Sequence, residues 1–376
     1  MGKNGLVLSG GGARGAYQAG VLLAASEIAE DMGVENPLPI LVGVSAGAIN
    51  TTFLAAHPGP FRQSCEALVG LWGAIQPTDV FSTDLWSLAK IGFRWATDLA
   101  LGSVKKERHI RGLLDTSPLR RFLSEHIAFG EIENQLQQGR FEAVAISATD
   151  YADSIGVTFY QTAHVYEPWH RSRRRGQKAE ITVEHVMASS AIPLFFPAVG
   201  VGEAFYGDGC VRNLAPLSPA IHLGASQLLV VSVRSESRVG AVRNAHRYPS
   251  LARVLGLILN AILMDSIEQD LDLLKRMNTI IQQIPNPSED PKAIRPVDAL
   301  WIRPSGDIGA LAGEHGKELP GLIRYLLSGM GSRTESQELL SYLLFEGAFT
   351  SKLAEMGYQD ARAQSEAFRK FFKAGL

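Results

Sequence analysis

A chain of 376 residues can bury a sizeable core, and 46% hydrophobic with 20% charged residues excludes a disordered or fibrous architecture. Thirty-six Lys and Arg against 38 Asp and Glu leave a net charge of -2, so no global field attracts nucleic acid and none is expected as a partner. Cys65 and Cys210 are the only cysteines, which excludes a disulfide framework or a cysteine-rich zinc site and suits a reducing, cytoplasmic compartment.

From the N-terminus, Met1 to Gly15 turns straight into a glycine cluster without the apolar stretch and cleavage site of a signal peptide. Gly5 to Ser9 and Ile40 to Val44 are short apolar runs that each lead through small residues into an Ala-rich segment. Two strand-turn-helix units in succession predict an α/β fold with a mostly parallel, helix-covered sheet. Residues 61–140 carry Phe61, Trp72, Phe81, Trp86, Phe93 and Trp95 at loose helical spacing, and Thr116-Ser117-Pro118 reads as a helix start. A helical insertion is expected there, its aromatics serving as core, with lining an acyl pocket or acting as a lid as the competing uses. Strand signals return at 141–149, 156–161 and 227–233, which sets the end of the large domain near residue 240.

Residues 241–376 read as a mainly helical extension. Leu251 to Ile281 has the pattern of one long helix, a Pro-rich stretch runs to Pro296, and a short apolar run follows at Leu300 to Ile302. The apolar side of Leu251 to Met264 carries Arg253 and Asn260 and is too short to span a membrane. It suits a cover over a site, a homo-oligomer contact or peripheral docking on a membrane surface, and the sequence leaves these open. His170 to Arg175 with Lys178 is the one local basic cluster, read as a solvated loop with anionic headgroups as the competing use.

Three motifs carry chemistry. Gly10-Gly11-Gly12-Ala13-Arg14-Gly15 follows a strand and opens a helix, so backbone N–H groups without intrahelical partners point out of the turn as an anion-binding device. Taken alone it also satisfies the dinucleotide fingerprint through Gly10, Gly12 and Gly15, with Glu30 or Asp31 at the distance of a ribose-binding acid. A nucleotide-binding module, or a lipid-binding module without catalysis, is therefore the alternative. Gly43-Val-Ser45-Ala-Gly47 is G-x-S-x-G at a strand-to-helix junction, the setting of an exposed nucleophilic serine. A serine hydroxyl needs a base, and Tyr206-Gly-Asp208-Gly209-Cys210 offers a glycine-flanked carboxylate, although Asp-Gly by itself is as readily a hairpin turn.

In this order the motifs resemble the patatin-like phospholipases, which combine a G-G-G-x-R-G loop, a G-x-S-x-G elbow and a D-G-[GA] motif. The likeness runs over roughly residues 5–235 and takes in Ala188-Ser-Ser-Ala-Ile-Pro193, Phe195 to Pro197, Asn213 and Pro216. The resemblance implies a three-layer sandwich, a lipid ester substrate, no cofactor, and a dyad in which Asp208 takes the Ser45 proton while the Gly10–Gly15 loop holds the oxyanion. Cys210 departs from the Gly or Ala of the family. His222, His246 and His315 follow Asp208 and would fit a Ser, Asp, His order; His222 reads as a structural histidine on a helix. Arg14 is expected to hold the loop rather than face a lipid phosphate. No metal-ligand spacing is present, and no metal is expected.

Overall fold

The computed structural model describes residues 3–82, 112–166, 168–235, 248, 250–263, 265–283, 295–316, 332 and 336–375. Trp86, Phe93, Trp95, His246, Met264 and most of the Pro-rich stretch lie outside the described residues.

Among the described residues ten strands build one sheet. They are β1 (Lys3–Leu8), β2 (Ile40–Val44), β3 (Ala143–Asp150), β4 (Ile155–Thr162), β5 (His170–Arg171), β6 (Arg174–Lys178), β7 (Val199–Val201), β8 (Ala204–Asp208), β9 (Ala225–Val231) and β10 (Asp298–Ile302). The order is β10-β9-β1-β2-β3-β4-β6-β5. From β10 to β3 every neighbouring pair is parallel. β4 is antiparallel to β3, and the β7–β8 hairpin adds β8 antiparallel along Ala148–Asp150. Parallel pairing requires crossovers that cover both faces, which is why β2 reads Ile-Leu-Val-Gly-Val with every residue buried.

The helices are α1 (Gly15–Asp31), α2 (Ala46–Ala56), α3 (Phe61–Ala74), α4 (Pro77–Val80), α5 (Ser117–His126), α6 (Glu131–Gln137), α7 (Val183–Ser189) and α8 (Ser218–His222). Beyond residue 240 follow α9 (Leu251–Leu263), α10 (Asp265–Gln282), α11 (Ile308–His315), α12 (Gln337–Leu343), α13 (Gly347–Ala363) and α14 (Ser365–Gly375). Two cores result, because successive strand residues face opposite sides. Leu6 and Leu8 join α1, α2 and α3 on one side, while Val7, Ile40 and Val42 pack on the other against α8 and against Ile267 and Leu271 of α10. This is the expected α/β sandwich with helical additions.

The C-terminal residues return to this framework. β10 lies parallel beside β9, and α13 seals the outer face of α1, where backbones touch: a Cβ on Gly20 would stand 1.8 Å from the Ala354 carbonyl oxygen, and one on Gly357 2.1 Å from that of Tyr17. The basic run His170 to Lys178 forms the edge pair β5–β6 rather than a loop, turning at Arg173 with φ 60°. Arg175 is neutralised there by Asp150 and Asp153. The run joins the sheet by main-chain pairing of β6 with β4 although its side chains show no hydrophobic alternation, and its charges block further strand addition at that edge.

Candidate active site

The first parallel strands deliver their motifs to one rim of the sheet. β1 runs into Gly10–Gly15, β2 leads directly into Ser45, and β8 ends at Asp208 beside Ala148 of β3. Ligand sites of open α/β sheets lie at such carboxyl ends.

Ser45 occupies φ 55°, ψ -123°, a strained conformation for a residue with a Cβ, at the sharp turn into α2. The flanking glycines let strand and helix meet: a Cβ on Gly43 would lie 2.2 Å from the Gly47 carbonyl oxygen, and one on Gly47 2.4 Å from that of Leu8. Ser189 secures the elbow by accepting from Ser45 N–H at 2.9 Å while donating to the Ser147 carbonyl at 2.7 Å.

Asp208 is not at the hairpin turn. The β7–β8 turn is at Gly202, with φ 60°, whereas Asp208 closes β8 and caps a 3-10 turn, Gly209–Val211. Its main chain is held at both ends, N–H donating to Ala191 at 3.0 Å and carbonyl accepting from Thr149 Oγ1 at 2.8 Å. Oδ1 accepts from Cys210 N–H at 2.9 Å, and the buried Oδ2 closes no hydrogen bond. Full burial pushes the carboxyl pKa up to about 6; Cys210 N–H, the Ser45 hydroxyl and the Cys210 thiol each oppose the rise. The Ser45 hydroxyl thus favours the carboxylate, while Oδ2 closes no hydrogen bond. Burial pushes the Cys210 thiol well above its ordinary pKa, so it is not a nucleophile.

Gly10 passes between these groups, since a Cβ there would stand 2.5 Å from Cys210 Sγ and 3.1 Å from Ser45 Cβ. The following turn, Gly12–Arg14, leads into α1. Its base is braced by Asn50 and Gln18, which the sequence did not single out, together with Trp72: Asn50 Nδ2 donates to the Gly15 carbonyl and to Gln18, and Trp72 Nε1 donates to Asn50 Oδ1 at 2.7 Å. Glu30 and Asp31 lie at the far end of α1, about 25 Å from the loop at 1.5 Å per residue. Glu30 pairs there with Arg62, so neither acid meets a ligand held at the glycines.

A narrow apolar slot opens over Ser45, with about 20 Å³ of room for a water-sized sphere, and about 480 Å³ when every gap between its atoms and the open mouth are counted. Gly12, Ile49, Trp72, Leu119, Phe122 and Phe345 are among its walls, and no histidine lines it among the described residues. Trp72 and Phe81 of the aromatic insertion are fully buried; Trp72 lines the slot and Phe81 does not. Ser190 contributes a buried hydroxyl without a partner. His222 stacks on Trp169 at 5.0 Å, on the helix α8 that covers the opposite face of the sheet. Burial and Arg171 with Arg174 lower its pKa. Among the described residues no group of three or more His, Cys, Asp or Glu side chains is placed to hold a metal, and no helix is long and apolar enough to cross a membrane.

No curated protein matches the chain. Among solved structures, VipD from Legionella pneumophila aligns at 12% identity and TM-score 0.34 over 98% of this chain and 67% of that one. Human GIVD cytosolic phospholipase A2 in complex with methyl gamma-linolenyl fluorophosphonate aligns at 12% identity and TM-score 0.41, over 99% of this chain. This chain spans 59% of the human protein's length. The model of the family described as patatin-like phospholipase matches residues 6–221, more than half the chain and all three motifs. The chain therefore belongs to the patatin-like phospholipase family of lipid acyl hydrolases.

Proposed function

We propose that the chain cleaves carboxylic esters of lipids, as a phospholipase A or lysophospholipase, by acyl transfer to Ser45 and then to water. Asp208 takes the serine proton directly and returns it to the departing alkoxide. Backbone N–H groups of Gly11 to Ala13, within the Gly10–Gly15 loop, receive the oxyanion of the tetrahedral intermediate, each worth about 3 to 4 kcal/mol in comparable sites. The acyl chain occupies the apolar slot.

One observation carries this reading: Ser45 lines an apolar slot, and its hydroxyl is among the groups that favour the ionised form of the fully buried Asp208, whose Oδ2 closes no hydrogen bond. A carboxyl whose pKa is pushed up to about 6 is still mostly ionised at neutral pH and is a better base than an ordinary aspartate. Leu251, Val254, Leu257 and Ile258 of α9 are exposed, and Arg253 is the one charged residue in the sequence of that helix. These exposed residues support docking of a cytoplasmic chain on a membrane surface to reach its substrate, with a homo-oligomer contact as the competing use.

The test is hydrolysis of p-nitrophenyl butyrate and of a panel of diacyl- and lysophospholipids, in chelator, by wild type, Ser45→Ala, Asp208→Asn and His222→Ala. The first two variants lose activity at least 1,000-fold, on the order seen when a nucleophile or its base is removed; His222→Ala retains it. Full activity in Ser45→Ala would end the reading, and loss in His222→Ala would replace the dyad with a triad.

A further inference from the structure

The Gly-rich loop rests on a segment 324 residues further along the chain. Arg14 is buried, 2% exposed, and turns away from the slot into α12. Its Nε donates to Ser341 Oγ at 2.8 Å, and Nη2 to Glu338 Oε1 at 2.7 Å. Ser341 in turn donates to the Glu338 carbonyl at 2.6 Å, and the guanidinium lies over the Tyr342 ring, 4.2 Å from its centroid. Tyr342 donates to Asn260 of α9.

The main chains also meet. A Cβ on Gly12 would stand 2.2 Å from the Tyr342 carbonyl oxygen, so the loop lies flush on the last turn of α12, and Phe345 just beyond walls the slot. Burial pushes the Glu338 carboxyl up, and the Arg14 charge and hydrogen bond, together with Asn260 and Arg234, more than offset this, leaving its pKa below the ordinary value. Glu338 is therefore an ionised partner for a buried cation. Donors that stabilise an oxyanion work only when they are fixed before the charge develops. An Arg–carboxylate pair with a shared hydroxyl resists rotation of the loop more than apolar packing would.

We propose that Glu338 and Ser341 are positioning residues for ester hydrolysis, fixing Arg14 and through it the backbone donors of Gly10–Gly15. The proposal rests on the acyl-hydrolase reading above. Both residues lie outside the matched family region, so α12 supplies to the site a support that residues 6–221 lack.

The experiment uses the full chain with Glu338→Gln, Ser341→Ala and the hydroxyl-preserving Ser341→Thr. Two readouts are taken: kcat and KM on p-nitrophenyl butyrate, and amide hydrogen exchange of residues 10–15 against that of β1 and β2. Expected are a kcat lowered about tenfold or more in Glu338→Gln and Ser341→Ala, KM within twofold, most of the loss restored in Ser341→Thr, and loop exchange faster with the strands unchanged. Unchanged kcat together with unchanged loop exchange would overturn the proposal, as would equal losses in Ser341→Ala and Ser341→Thr. Should Ser341→Ala fail to fold, Glu338→Gln carries the same two readouts. Faster loop exchange alongside undiminished activity in Ser45→Ala would instead retain the clamp and remove the serine mechanism on which its catalytic role depends.

Discussion

Asp208 is poised by opposing forces whose balance has a sign. Its carboxyl titrates near about 6 when folded, against an ordinary 3.8, because burial disfavours the charge more than Cys210 N–H, Ser45 and the Cys210 thiol favour it. A base must be ionised, so the hydrolysis rate is predicted to fall tenfold per pH unit below about 6 and to level off above; a pH–rate profile of kcat/KM measures this. Stability moves the other way. The folded state holds the proton more tightly than the unfolded chain, so ionisation costs stability: the cost is absent below about pH 3.8, grows between there and about 6, and is complete above. The upward shift corresponds to about 3 kcal/mol. Asp208→Asn is therefore predicted to melt several degrees higher than wild type at pH 8, with little difference at pH 4, while losing activity. Equal melting at both pH values would contradict the burial account. Gly10 permits an equally local test. Gly10→Ala places a methyl 2.5 Å from Cys210 Sγ and is predicted to lower kcat at least 100-fold with the fold intact by circular dichroism.

At the scale of elements, what was readable in the sequence was what is local. β1, β2, β3, β4 and β9 fall on apolar runs, and the turn after β1 and the elbow after β2 announce themselves by glycines whose missing Cβ atoms make room for Ser45, Gly47 and Leu8. The Asp208 motif was ambiguous on its own, because Asp-Gly serves hairpins as well; what fixes Asp208 is pairing with β3 and hydrogen bonds from Thr149 and to Ala191, 59 and 17 positions away. Ser189 left no signal beyond belonging to a small-residue motif. Its role exists only where α7 meets the elbow. The Trp72–Asn50–Gly15 chain of hydrogen bonds belongs to the same class. Asn50→Ala removes the acceptor of a buried indole N–H and the donor to Gly15 together, and is predicted to destabilise the fold by about 2 to 4 kcal/mol, measured by urea unfolding.

For the whole molecule, the region beyond residue 240 is the least legible part. β10 has five residues, and nothing in them specifies β9 as neighbour; parallel pairing reflects the crossover, not the strand. The contact of α1 with α13 depends on Gly20 and Gly357, which in sequence look like helix-weakening glycines. Because sheet, α1 cover and loop support all draw on this region, the full chain is predicted to unfold in one transition. A fragment ending at residue 240 is predicted to expose the outer face of α1 and to aggregate, which light scattering and circular dichroism would detect. Gly20→Leu, driven against the Ala354 backbone, is predicted to cost more than about 3 kcal/mol.

Covalent labelling is the most direct test of Ser45 as a nucleophile driven by Asp208. Wild type is incubated with an alkyl fluorophosphonate, and the modified residue is located by peptide mass mapping. The account predicts one adduct, on Ser45, none in Ser45→Ala, and labelling slowed at least 100-fold in folded Asp208→Asn. An adduct on another residue, or labelling at the wild-type rate in Asp208→Asn, would contradict it.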